Sequence, residues 1–180
     1  VFRSKLSYLF TKVGANELLW DAGMSASFPL TDKLSANFDG QMVLAQSQDS
    51  LTTYRNLYKL VPNFKYKEEL FSVTLGVMLA NSKEKTTENE TYVLPVLKAD
   101  YQLMDGIKLY AGYEGDVMAN NLTTILQENQ WLGRFQTLKP TRKLSDIYAG
   151  VKANLYGGLS GELKGSYATY KNFYVLNNSR

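Results

Sequence analysis

The chain has 180 residues and a net charge of +3, long enough for one domain with a substantial core or a closed barrel of moderate size. That charge, spread thinly along the chain, is too small for a dedicated nucleic-acid binder. Cysteine and histidine are both absent, which removes disulfides, thiolate nucleophiles, imidazole bases and Cys- or His-ligated metals, so neither catalysis nor a cofactor is expected.

Apolar residues recur at every second position in nine runs: about 2–12, 17–29, 34–46, 55–66, 70–80, 91–103, 107–118, 145–156 and 159–170. A tenth is expected to begin near residue 172. The opening "VFRSKLSYLF" lacks the basic region, apolar core and cleavage site of a leader peptide, so a mature chain or a fragment is expected. No apolar stretch is long enough for a membrane helix, and any membrane role falls to strands. Most runs exceed the five or six residues of a typical soluble strand, whereas a tilted strand needs roughly 9–11 to cross the hydrocarbon layer.

Tight turns fall at "LTDK" (30–33), "KEE" (67–69), "MDG" (104–106) and "YGG" (156–158). Between them lie longer polar links at 47–54, 81–90 and 119–143, so short and long connections alternate, as in outer-membrane barrels. Parity carries across the turns. Trp20, Ala22, Met24, Ala26 and Phe28 continue into Leu34, Ala36, Phe38, Met42 and Leu44, opposite Asp21, Ser25, Ser27, Ser35, Asn37, Asp39 and Gln41.

One face therefore reads as apolar throughout and the other as polar throughout. A soluble β-sandwich alternates in the same way. The apolar face, however, mixes Gly, Ala, Leu, Met and Tyr without the bulky interdigitation a sandwich core needs, and lipid conforms to any profile. Aromatic residues near both strand ends, Phe28, Tyr66, Phe71, Tyr101 and Tyr156 at the tight turns and Trp20, Tyr58, Tyr92, Tyr167 and Tyr170 at the long loops, fit two interfacial belts. The expected fold is all-β: an antiparallel up-and-down transmembrane β-barrel, 1–180 being a single barrel domain or a barrel fragment, with nine or ten strands visible, in the first place part of a larger barrel and otherwise a complete small barrel of eight or ten strands.

The segments "DAGMSASFPLTDKLSANFDGQMVLAQ" and "YVLPVLKADYQLMDGIKLYAGYEGDVMANNLTTILQENQWLG" resemble the barrel portion of TonB-dependent-receptor-like outer-membrane proteins. The likeness runs from about residue 17 to 170 and rests on strand style, with no diagnostic motif. It implies a plugged barrel of about twenty-two strands that imports bulky ligands using energy from a periplasmic partner. This chain departs from that pattern. It holds no plug segment or energy-coupling box, nine or ten strands cannot close so large a barrel, and its last residue is Arg180 where such barrels commonly end in an aromatic.

On the polar face, Asp39, Lys59, Lys98, Asp100, Lys108, Glu114, Asp116, Lys152, Glu162 and Lys164 are the candidate lumen-facing charges, with Lys5 and Lys65 beside them. Mixed signs favour cross-strand ion pairs over an ion-selective pore lining. Asp100, Glu114 and Asp116 form an acidic group that could at most hold a cation weakly, and no metal site is assigned. The 119–143 segment carries Ile125, Leu126, Trp131, Leu132 and Phe135, which would constrict the interior, touch ligand, dock a partner or anchor the loop on the rim.

The expected function is non-enzymatic solute transport across a Gram-negative outer membrane, TonB-dependent-receptor-like or porin-like. Membrane lipid and other outer-membrane or periplasmic proteins are the expected partners, and nucleic acid is not. Two alternatives stay open: a structural or accessory barrel that binds partner proteins, and a soluble β-sandwich binding module.

Overall fold

The computed structural model describes residues 1–12, 14–48, 52–85, 89–128, 140–154 and 159–173. They form nine strands: β1 (Phe2–Phe10), β2 (Asn16–Pro29), β3 (Leu34–Gln48), β4 (Thr52–Lys67), β5 (Phe71–Glu84), β6 (Glu90–Met104), β7 (Ile107–Met118), β8 (Thr141–Asn154) and β9 (Ser160–Lys171), with one short helix, α1 (Leu122–Glu128). All nine runs of alternation are strands. The observed strands are longest in the middle of the chain, where β4 reaches 16 residues.

The strands make a single antiparallel sheet in chain order, β1 to β9, each bonded to its sequence neighbours. Local pairing of this kind follows from the turns. Leu30 and Thr31 donate to Leu34 O across the β2–β3 connection, and Glu68 N donates to Phe71 O across β4–β5. Between β6 and β7 the Asp105–Gly106 turn needs a left-handed residue, which Gly106 supplies at φ 80°. A Cβ there would overlap Asn154 O on the adjacent β8, so glycine is required twice over.

The nine described strands do not close into a barrel by themselves. The described sheet is open: β1 pairs only with β2 and β9 only with β8, whereas barrel closure requires hydrogen bonds between the first and last strands. The tenth run, expected to begin near residue 172, lies almost wholly outside the described residues. Asn172 turns the chain at φ 56°, and residues 174–180 lie outside those described. The described residues also contain no second sheet, so they do not form a sandwich.

The sheet curls toward its polar face. Lys59 on β4 and Asp116 on β7 are three strand spacings apart, about 14 Å in a flat sheet, more than the two side chains can bridge. Their charged atoms nevertheless meet at 2.7 Å. The polar face is thus concave and the apolar face convex. The convex face carries Leu6, Met24, Phe64, Leu75, Val93, Ile147 and Leu163 uncovered, from 54% to 74% exposed. No helix among the described residues is long and apolar enough to cross a membrane.

Burial is concentrated at one end of the concave face, where the long connections emerge. Val43, Leu57, Ala80 and Val117 form a cluster there, packed against Leu19, Tyr92, Leu94 and Ala119. This overturns the reading of a uniformly polar face. Runs such as Met42–Ala45 and Val77–Ala80 are apolar on both faces, and strict alternation holds only toward the tight turns. Tyr92 belongs to this concave cluster and not to a convex belt, because its partner in the register is buried Ala80.

Candidate functional site

The pairing register puts all ten candidate charges on the concave face, and most meet an opposite charge one to three strands away. Lys98 pairs with Glu114 at 2.9 Å, Lys108 with Asp100 at 2.8 Å, Lys59 with Asp116 at 2.7 Å and Lys152 with Glu162 at 3.6 Å. The members of the acidic group, Asp100, Glu114 and Asp116, each have a lysine of their own, and the described residues hold no cluster of three metal-ligating side chains. Asp39 receives only a long 3.4 Å bond from Asn63. Lys164 lies over the Tyr148 ring, 4.2 Å from its centre.

Tyrosines on this face escaped the sequence reading. Tyr110 on β7 faces Gly150 on β8, and Tyr148 on β8 faces Gly112 on β7. Each ring fills the space over the opposite glycine, where a Cβ would overlap it, and the two rings lie 6.1 Å apart. The signal was the repeated Tyr-Ala-Gly at 110–112 and 148–150: on antiparallel strands it sets each aromatic across from a gap. Tyr110 also donates to Glu162, and Lys152 sits 5.4 Å from the Tyr110 ring centre. With Lys164 over the Tyr148 ring, these four side chains form a continuous polar and aromatic lining on β7–β9.

Next to this lining is a cleft of about 550 Å³, running between Arg3, Asp39, Gln41, Lys59, Glu114 and Lys143, with Gly23 and Gly40 in its wall. The first five strands and the β7–β8 pair contribute to it, so it is an interior space made by the curl. A larger depression of about 620 Å³ lies on the convex side among Leu75, Leu97, Ala111, Tyr113, Ile147 and Tyr167. It is an open trough over small residues and offers no convergent polar groups for chemistry.

Of the loop residues singled out, Trp131, Leu132 and Phe135 lie outside the described residues. Ile125 is fully buried and Leu126 half-buried, on α1. The described part of this segment turns inward over the concave face. Asn121 caps α1, its Oδ1 accepting from Thr124 N and Oγ1 at 2.8 Å each, and Asn120 Nδ2 donates to Thr141 Oγ1 at 3.1 Å. Glu17 at the start of β2 is buried against the same helix end, a residue that the sequence reading passed over because it looks like one more strand-end charge.

Across the opposite rim, Lys33 and Glu68 join two tight turns at 2.7 Å. The hydrogen bond from Lys33, then that from Tyr66, holds the Glu68 carboxyl below its ordinary range, and Glu68 in turn raises Lys33.

No family model, curated protein or solved structure matches the chain. The chemistry available to the concave face is therefore its own: paired charges, tyrosines and a water-sized to solute-sized cleft, with no nucleophile–base pair among the candidate residues.

Proposed function

We propose that the chain is the barrel-forming part of an outer-membrane protein that moves a solute across the membrane, its convex face toward lipid and its concave face toward the interior. The observation that carries this reading is the contrast between faces. Nine consecutive strands expose large apolar side chains on one side, with no layer of the described residues over them, while the other side gathers ion pairs and a cleft. In water so much uncovered apolar surface would drive aggregation; against hydrocarbon it is the stable arrangement. The strands, 9 to 16 residues long, are sufficient to cross when tilted.

Closure of the open edges β1 and β9 needs further strands, which fits a barrel larger than the nine seen here. A TonB-dependent-receptor-like or porin-like transporter of a Gram-negative outer membrane is the specific form proposed. The second reading, a structural barrel, is favoured by the inward α1 and by the Lys59–Asp116 pair, which joins strands three apart across the concave face.

The lipid-facing assignment is tested with Trp20, which lies on the convex face and is one of two tryptophans. In a Trp131→Phe variant reconstituted into bilayers, brominated acyl chains should quench the remaining fluorescence strongly. A protein that is monodisperse without detergent and unquenched by brominated lipid overturns the proposal. Passage is tested by liposome swelling in small sugars, where no swelling supports the structural barrel instead.

A further inference from the structure

Glu17 has no solvent exposure, and four donors converge on its carboxylate. Ser47 Oγ (2.7 Å) and Leu122 N (2.8 Å) reach Oε2; Thr123 N (2.8 Å) and Thr123 Oγ1 (2.7 Å) reach Oε1. One donor comes from the neighbouring strand β3. The other three come from the start of α1, more than a hundred residues away in sequence and beyond the far end of β7.

A carboxylate removed from water is tolerated only when its lone pairs are occupied, and a helix start exposes N–H groups that need acceptors. Each side thus supplies what the other lacks. Without residues 119–128 folded inward, Glu17 would keep one of these four donors, and without Glu17 the Leu122 and Thr123 amides would be left buried or half-buried without their acceptor. Arg55 on β4 lies close enough to Glu17 to add electrostatic attraction. Apolar burial acts in the same direction: Ile125 and Val117 are wholly enclosed, and Ala119 packs on the concave cluster.

We infer that Glu17 is the latch that holds residues 119–128 inside the concave face, where they narrow the interior at its long-loop end. The narrowing of a passage rests on the transport reading above; the latch itself does not. Glu17 is a positioning residue in this role, since it acts through the segment it holds.

The full-length protein is compared with its Glu17→Ala and Glu17→Gln variants by residue-resolved amide hydrogen exchange. In Glu17→Ala the Leu122 and Thr123 amides should exchange about tenfold faster or more, while Val43 and Leu57 amides in the sheet keep their protection. Glutamine offers one carbonyl oxygen where the two amides use two, so Glu17→Gln should release one amide strongly and the other weakly. Ser47→Ala removes the one donor from the sheet and should leave both amides protected. Unchanged exchange at Leu122 and Thr123 in Glu17→Ala overturns the latch. If the sheet itself loses protection in Glu17→Ala, Thr123→Val, which deletes a single hydroxyl donor, decides: faster exchange confined to 121–125 supports the latch and no change overturns it. In liposome swelling, Glu17→Ala should admit raffinose and stachyose at least about threefold faster than wild type. Released amides with unchanged sugar entry overturn the constriction, whereas a wild type that admits no sugar fails the transport reading and leaves the latch to the exchange result.

Discussion

The two ends of the concave face are built from the same strands yet solve different problems. Toward the tight turns, Ser27, Asn37, Asn63 and Asp39 form a ladder of short polar side chains: Ser27 donates to Asn37 at 2.6 Å, Asn37 to Asn63 at 3.1 Å and Asn63 to Asp39 at 3.4 Å. These groups are exposed or half-buried, and water can replace any one of them. Toward the long loops, Val43, Leu57, Ala80 and Val117 form a buried cluster with Leu19, Tyr92, Leu94 and Ala119 packed against it, and Glu17 is buried with its four donors. A strand pair is held along its length by the same backbone ladder, so what differs is whether anything covers the face. Where a segment covers it, burial makes every side chain costly to change; where none does, the lining is replaceable.

The contrast is sharpest under a charge. Val117→Asp at the fully enclosed position should destabilise the protein by at least about 3 kcal/mol, because it takes a carboxylate out of water and removes packed apolar contacts. Asn37→Asp in the polar ladder should stay within about 0.5 kcal/mol. Equilibrium urea unfolding of both variants checks the pair, and equal losses would dissolve the distinction.

A backbone change tests the tight-turn end by a different route. Gly106→Ala should cost about 1–3 kcal/mol in the same unfolding measurement, from the left-handed conformation and the overlap with Asn154 O. A cost near zero would mean that β8 moves aside freely, and that the tight-turn end is looser than its register implies.

Between the two ends, Lys59 and Asp116 span the curl with side chains 13% and 35% exposed. Lys59→Met should cost about 1–2 kcal/mol, and a double-mutant cycle with Asp116→Asn should return a coupling of about 1 kcal/mol. Zero coupling would show that the curl is held by the apolar cluster alone.

The smallest effect belongs to the rim pair Lys33–Glu68. The folded carboxyl of Glu68 titrates below its unfolded value, so its favourable contribution is present above the ordinary glutamate range and is lost as pH falls through the lowered folded value. Both groups are exposed enough for salt to screen them, so no measurable change in unfolding is expected. Side-chain carbon NMR should show the Glu68 midpoint rise toward the ordinary range in Lys33→Met; an unchanged midpoint would assign the shift to Tyr66.

How much was legible follows the same division. The period of two marked every strand, because a strand with one apolar and one polar face writes that contrast into consecutive residues. The ten charges were legible as one face for the same reason, since parity survives each tight turn. Val43, Leu57 and Ala80 were not read as core, because apolar neighbours on both sides of the backbone blur the period at the long-loop ends. Glu17 was not read as special, because its four donors come from β3 and from beyond β7, and nothing near residue 17 in the chain announces them. The Tyr110–Gly150 and Tyr148–Gly112 pairs sat between these extremes: the repeated Tyr-Ala-Gly was visible, but only the register shows that the repeats face each other.

Alternation and turn chemistry in the chain alone determined an all-β meander of nine strands with an apolar face and a polar face, since both are local properties of a pleated backbone. The tertiary structure alone decided how far the sheet curls, that the described strands leave its edges open, and that a segment between β7 and β8 folds inward onto a buried glutamate. Those outcomes depend on groups brought together across several strands, and a distance of that kind leaves no period in the sequence.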